Sequence, residues 1–154
     1  MISLLKNQRF LYFGITLFVL CSAFEKQPEN PLFSITVKVE DLRNENGVVL
    51  FALYNREDSF PDEHYEKYYK KLVGAINNES AMVTFKNLPR GKYAVNILHD
   101  EDNDGKIKKG MVLPKEGIGF SRFQSISLFN RPTFNKASFQ LEGDKEIVVN
   151  ILYL

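Results

Sequence analysis

One cysteine, two histidines and nearly balanced charge are what this 154-residue chain offers to chemistry, and each scarcity closes a class of function. The cysteine stands at position 21, ahead of everything that reads as folded, so the domain has no disulfide. Its fold must hold by core burial alone. Only His64 and His99 could serve as imidazole bases. With 20 basic and 19 acidic residues, no basic footprint argues for nucleic acid. The apolar run from Phe10 to Leu20 is well short of the ~20 residues a spanning helix needs.

That run has another reading. Lys6 and Arg9 precede it and Cys21-Ser22-Ala23 follow, the basic, hydrophobic and small-residue order of a secretory signal peptide. Cleavage after Ala23 would start the mature chain at Phe24 and place it in the periplasm or outside the cell, with no transmembrane segment left. The alternatives are a retained anchor and lipid attachment at Cys21. The second needs small residues before the cysteine, and Val19 and Leu20 fit that poorly. Removing residues 1–23 takes away two bases and no acid, so the formal charge passes from +1 to −1. Residues 24–32, with Pro28 and Pro31, read as a short tether. Residues 33–154 then form one domain, of a size that can bury a real core.

Strand character begins at Phe33 to Val39, where Ile35, Val37 and Val39 share one face. The turn residues Asn44 to Gly47 follow, and Val48 to Tyr54 is apolar on both faces, as a central strand covered on both sides would be. The pair reads as a hairpin. Residues 56–69 lose the alternation, and Ser59, Pro61 and the acids at 62 and 63 suggest a short helical or irregular excursion. Further strands are expected at 71–76, 81–85, 93–99, 136–141 and 146–153. About seven short strands separated by turns predict an all-β fold, an antiparallel β-sandwich of immunoglobulin-like or transthyretin (prealbumin)-like type.

The segment Phe85-Lys-Asn-Leu-Pro-Arg-Gly-Lys-Tyr93 sharpens this reading. It has a strand end, a Pro/Gly turn and a tyrosine opening the next strand, the arrangement in which a corner tyrosine bonds back to the backbone upstream. The stretches Gly47–Asn55, Phe85–Val95, His99–Lys106 and Pro114–Ser121 together resemble the bacterial domain-of-unknown-function family 2141 over nearly the whole mature chain. The resemblance implies a small exported β-sandwich without an assigned activity. Where that family usually continues Gly-Lys-Leu-Asp, this chain has Gly105-Lys106-Ile107-Lys108.

His99-Asp-Glu-Asp-Asn-Asp-Gly-Lys106 is the chemically richest stretch. Carboxylates at Asp100, Asp102 and Asp104 and glycine at 105 follow the first half of an EF-hand calcium loop. The second half fails, because Lys108 and Met111 stand at its ninth and twelfth positions. A partial site would use the three aspartates, the Lys106 carbonyl and Glu116 as the missing acid. Oxygen ligands alone select Ca²⁺, held weakly and for a structural role. The competing reading is a solvated turn whose acids are neutralised by Lys106, Lys108 and Lys109.

Catalysis has little support. His99, Asp100 and Ser121 can be drawn as a triad, but adjacent residues of a strand point to opposite faces. The acids crowd a turn with no sign of one kept protonated in an apolar pocket. Gly117 to Phe134 mixes Phe120, Phe123, Phe129 and Phe134 with Arg122 and Arg131. It reads either as a plug sealing one end of the fold or as a binding surface, with Phe120, Arg122 and Phe123 meeting a glycan, a peptide or an envelope or extracellular protein. Burial of the phenylalanines would favour the plug.

Overall fold

A computed structural model describes residues 30–108, 114–127 and 129–154 of the chain. The expected leader, Cys21 and the tether as far as residue 29 lie outside the described residues. Pro31–Leu154 forms one compact unit. Leu32, expected as the last residue of the tether, already belongs to a strand.

The unit is mostly β. Its strands are β1 (Leu32–Val39), β2 (Val48–Tyr54), β3 (Lys70–Gly74), β4 (Ala81–Pro89), β5 (Gly91–Asp100), β6 (Gly117–Phe120), β7 (Phe139–Leu141) and β8 (Lys145–Val148). One sheet runs β4-β1-β8 and the other β3-β2-β5-β6, with β7 paired to the start of β5. Ile35, Val37 and Val39 of the first sheet and Val49, Phe51, Leu53, Val95 and Ile97 of the second share one buried cluster. Every ladder is antiparallel except β1 with β8, which is parallel and departs from the all-antiparallel expectation.

The expected hairpin of β1 and β2 does not form, since the two strands lie in different sheets. Leu42, only 2 % exposed, joins the shared cluster and draws the 40–47 connection across the edge of the fold, where its N–H donates to Glu79 O at 3.0 Å. Burial marks the same difference. β1 is covered on one face, whereas six of the seven residues of β2 are buried. A strand covered on both sides needs a second layer of apolar contacts.

Connections supply that layer. Leu50, Ala52, Tyr54, Ala94 and Leu98 point away from the shared core and pack under Phe60, Tyr65, Phe123, Phe134 and Ala137. The aromatic segment after Gly117 thus covers the outer face of the second sheet rather than one end of the fold. Its first four residues, expected as connection, are β6, paired with β5 from Asn96↔Phe120 to His99↔Gly117. The strand expected at 136–141 begins in a helix. Thr133 caps a short helix α1 (Phe134–Ala137) by accepting from the Lys136 N–H, and only Phe139–Leu141 remains extended. Local capping here outweighs a weak strand pattern. The segment expected as a strand at 146–153 shortens to β8, followed by a single bridge between Leu152 and Ile118.

The corner forms as the sequence indicates. Tyr93 is 2 % exposed and its hydroxyl donates to Pro89 O at 2.9 Å. No helix among the described residues is long and apolar enough to cross a membrane.

Candidate functional site

The acidic loop leaves the end of β5 at Asp100. Oxygens of Asp100, Asp102 and Asp104 lie within 4.8 Å of one another, so three of the expected ligands do converge. Their bonds show what holds them there. Asp100 is buried, and its two oxygens accept from the N–H groups of Asp104 at 3.1 Å and Gly105 at 2.9 Å. Asp102 receives the Lys108 ammonium at 2.6 Å, which lowers the aspartate and raises the lysine from their ordinary pKa values. Asp104 accepts from the Lys106 N–H at 2.8 Å.

Glu116 comes to the same loop in another role. It is 2 % exposed, and its carboxylate accepts from Glu101 N at 3.1 Å and Lys108 N at 2.7 Å, tying the two sides of the loop together. Burial pushes its pKa up against the pull of those two N–H groups.

A second polar cluster abuts this loop, and no local pattern announced it. Arg43 donates Nε and Nη2 to the two oxygens of Glu101, both at 2.6 Å, and Nη2 also reaches Lys115 O at 3.0 Å. The guanidinium holds Glu101 below the usual carboxylate range. It also lies over the Tyr153 ring, 4.5 Å from the centroid. Tyr153 Oη accepts from the Arg43 N–H at 3.1 Å and stands 2.7 Å from His99 Nδ1. His99 Nε2 donates to Asn46 O at 2.9 Å. The histidine, 0 % exposed, links the 40–47 connection to the C-terminal segment.

The triad drawn from the sequence is not assembled. His99 is bonded as described and Asp100 holds its own loop. Ser121 Oγ donates to Ala137 O at 2.8 Å and accepts from Val95 N at 2.9 Å. Each of the three serves structure.

On the outer face of the second sheet lies a cavity of about 400 Å³. Pro61, Ile107, Pro114, Ile118, Phe120, Ile126 and Pro132 supply its apolar walls, and Asp62, Glu63, Asn96 and Arg131 its polar groups. Its floor is rigid. The Asp62 carboxylate accepts from Lys67 N at 2.7 Å, His64 N at 3.2 Å and Tyr54 Oη at 3.3 Å, while Tyr65 Oη donates to Asn96 Oδ1 at 2.9 Å. Burial raises both phenols above their ordinary pKa. Arg131 is exposed and has no hydrogen-bond or ion-pair partner among the described residues.

The sequence profile of domain-of-unknown-function family 2141, described as an uncharacterized protein conserved in bacteria, matches residues 37–149, from β1 to just past β8. The chain belongs to this family. No curated protein and no solved structure matches it. The acidic loop, the cavity and the strands of both sheets of this family 2141 chain, apart from the first five residues of β1, fall within the matched span.

Of the residues expected to bind a partner, Phe120 and Phe123 are 7 % and 6 % exposed, and Arg122 donates Nη1 to Ser138 O at 2.8 Å. Burial favours a covering role, on a sheet face and not at the expected end of the fold, with Phe120 also forming part of the cavity wall. The cavity itself was missed in the sequence. One signal was available: Asn96 interrupts the apolar strand Ala94-Val-Asn-Ile-Leu98, and a polar residue amid a buried run needs partners.

Proposed function

We propose that this family 2141 protein is an exported, non-enzymatic β-sandwich of immunoglobulin-like or transthyretin-like type that binds a small amphipathic ligand on the outer face of its second sheet. The observation that carries the reading is the cavity of about 400 Å³, within the range of about 300–1,000 Å³ usual for small-molecule sites. Its walls suit an apolar body, and Arg131 suits an anionic head. The polar floor is already bonded internally, which supports recognition over catalysis. Export rests on the basic, apolar and small-residue order of residues 6–23.

Displacement of anilinonaphthalene sulfonate by aliphatic carboxylates of increasing length tests this. Affinity should rise with chain length until the cavity is filled. Ile126→Asp should abolish binding while leaving the melting temperature close to wild type, since Ile126 is only half-buried. A wild-type protein that binds neither the dye nor any carboxylate disposes of the proposal.

Weak structural Ca²⁺ binding stands as a second reading, supported by the convergence of Asp100, Asp102 and Asp104. An ion would have to displace Lys108 from Asp102 and take Lys106 O or Glu116 as a further ligand. Calorimetric titration of chelator-treated protein decides it. Heat and a rise in melting temperature at millimolar Ca²⁺, both lost in Asp102→Ala, support the ion. Their absence from wild type leaves the lysine-neutralised turn.

A further inference from the structure

Phe139 of β7 and Ile147 of β8 pack against the core that the two sheets share, yet both are only half-buried. The core is not sealed between them. β8 ends the first sheet, β7 pairs only with β5 among the described residues, and a cleft of about 420 Å³ runs between the two strands. That volume suits a small molecule. Phe139, Ile147 and Val148 form its apolar walls, while Ser121, Arg122 and Lys145 complete it. No acid lines it, since Glu146 between Lys145 and Ile147 stays outside.

Two exposed cations are ordinary by themselves. These two are held in place and left without acids. Arg122 is anchored by Nη1, which donates to Ser138 O at 2.8 Å, and its Nε/Nη2 edge has no hydrogen-bond or ion-pair partner among the described residues. With that same edge Arg43 grips both oxygens of Glu101, the fork geometry that fits a carboxylate or a phosphate. Arg43, Arg56 and Arg90 all face acids, and Arg122 does not. The Lys145 ammonium stands 5.9 Å from the centroid of the Phe139 ring, again with no acid bound to it among the described residues. Acids close by in sequence are engaged elsewhere: Asp144 accepts from Ser34 N and Oγ, and Glu142 meets Arg90. The backbone around Arg122 is fixed. Ser121 N donates to Val95 O at 3.0 Å, Ser121 Oγ to Ala137 O at 2.8 Å and Phe123 N to Phe120 O at 3.1 Å. Arg122 itself has φ +64°, a left-handed conformation that suits glycine better than a long side chain, and such exceptions cluster at ligand clamps.

We propose that this cleft binds a small organic dianion, a phosphate monoester or a dicarboxylate, with its oxyanion between the Arg122 fork and the Lys145 ammonium and its apolar body against Phe139, Ile147 and Val148. Two cations with no acid in the lining favour two negative charges over one. A peptide strand added to the edge of β8 fits less well. Lys145 lines the space between the sheets together with Ile147, and an edge lysine turned inward blocks strand pairing. The inference is independent of the ligand cavity on the outer face, because the two share no lining residue.

Calorimetric titration of the protein, expressed as the full chain, with phenyl phosphate, phenylsuccinate and inorganic phosphate tests this. At least one of the ring-bearing dianions should bind about fivefold or more tighter than inorganic phosphate, because its ring is buried, and the tighter of the two names the oxyanion. Lys145→Met keeps the stem over Phe139 and removes the charge, and it should weaken binding about tenfold. Arg122→Gly removes the fork at a backbone position that suits glycine, so it should weaken binding about tenfold or more while the melting temperature stays close to wild type. Binding should fall as salt rises. Arg131→Ala, which alters only the other cavity, should leave these affinities unchanged. Four results overturn the proposal: no heat from either ring-bearing dianion, inorganic phosphate bound as tightly as they are, affinity unchanged in Lys145→Met, or affinity lost in Arg131→Ala. The first, joined to self-association of Lys145→Met, would make the lysine a guard of the strand edge alone. The last would put the ligand in the outer-face cavity, so failure of either proposal is read separately.

Discussion

Replacing Tyr93 by phenylalanine removes one atom from the corner and leaves everything else in place. The ring, 2 % exposed, stays within the core shared by the two sheets, so no cavity opens. What is lost is the bond from Tyr93 Oη to Pro89 O at 2.9 Å. A neutral hydrogen bond contributes about 0.5–1.5 kcal/mol net. Pro89 and Arg90 are exposed, so water can reach the carbonyl left behind, and the cost should fall in the lower half of that range, about 0.5–1 kcal/mol. For a domain of this size that corresponds to a fall in melting temperature of about 2–5 °C. Urea unfolding should show a lower midpoint at an unchanged slope, because the surface exposed on unfolding is the same. Tyr93→Leu, which also empties part of the ring's space, should cost clearly more, about 2 kcal/mol or above. A phenylalanine variant within about 0.2 kcal/mol of wild type would refute the reasoning, since the bond would then contribute nothing beyond what water supplies.

Two other perturbations follow from the same geometry. At Gly47, with φ +70°, a Cβ would stand 1.9 Å from Asp100 O, so Gly47→Ala must move backbone and should cost more than about 2 kcal/mol in urea unfolding. Gly105→Ala, at φ +75° in open space, should cost only the left-handed strain of about 1 kcal/mol, and equal losses at the two sites would contradict the close approach. Burial raises the pKa of Tyr54, Tyr65, Tyr93 and Tyr153 above 10.0. Their contribution to stability is therefore complete below the unfolded value near 10 and is lost as pH rises through the folded values, because the unfolded chain releases these protons first. Urea midpoints should hold level up to about pH 9 and fall steeply beyond pH 10, less so in Tyr93→Phe, and a flat profile to pH 11 would contradict the burial of the phenols.

The sequence by itself determined which residues lie under cover. The alternation of Ile35, Val37 and Val39 marks one buried face, the unbroken apolar run of β2 marks two, and the segment Leu88-Pro-Arg-Gly-Lys-Tyr93 encodes its own corner. In each case the determining contacts lie within a few residues or follow the strand's two-residue period, so they are written locally. The convergence of Asp100, Asp102 and Asp104 belongs here too, because a single loop places all three. Alternation says that a face is covered and not by what. Whether β1 pairs with β2 or crosses to another sheet depends on Leu42 finding the core, and the parallel run of β8 beside β1 depends on where the chain's end returns. Arg43 meets Glu101 58 positions away and Tyr153 110 away, and the cavity draws its walls from four separate stretches of chain. Such pairings are made when two sheets close over one core, and no local period can carry them. Tertiary structure alone therefore decided that Glu116 fastens a loop, that Phe120 and Phe123 turn inward, and that Phe129 does not.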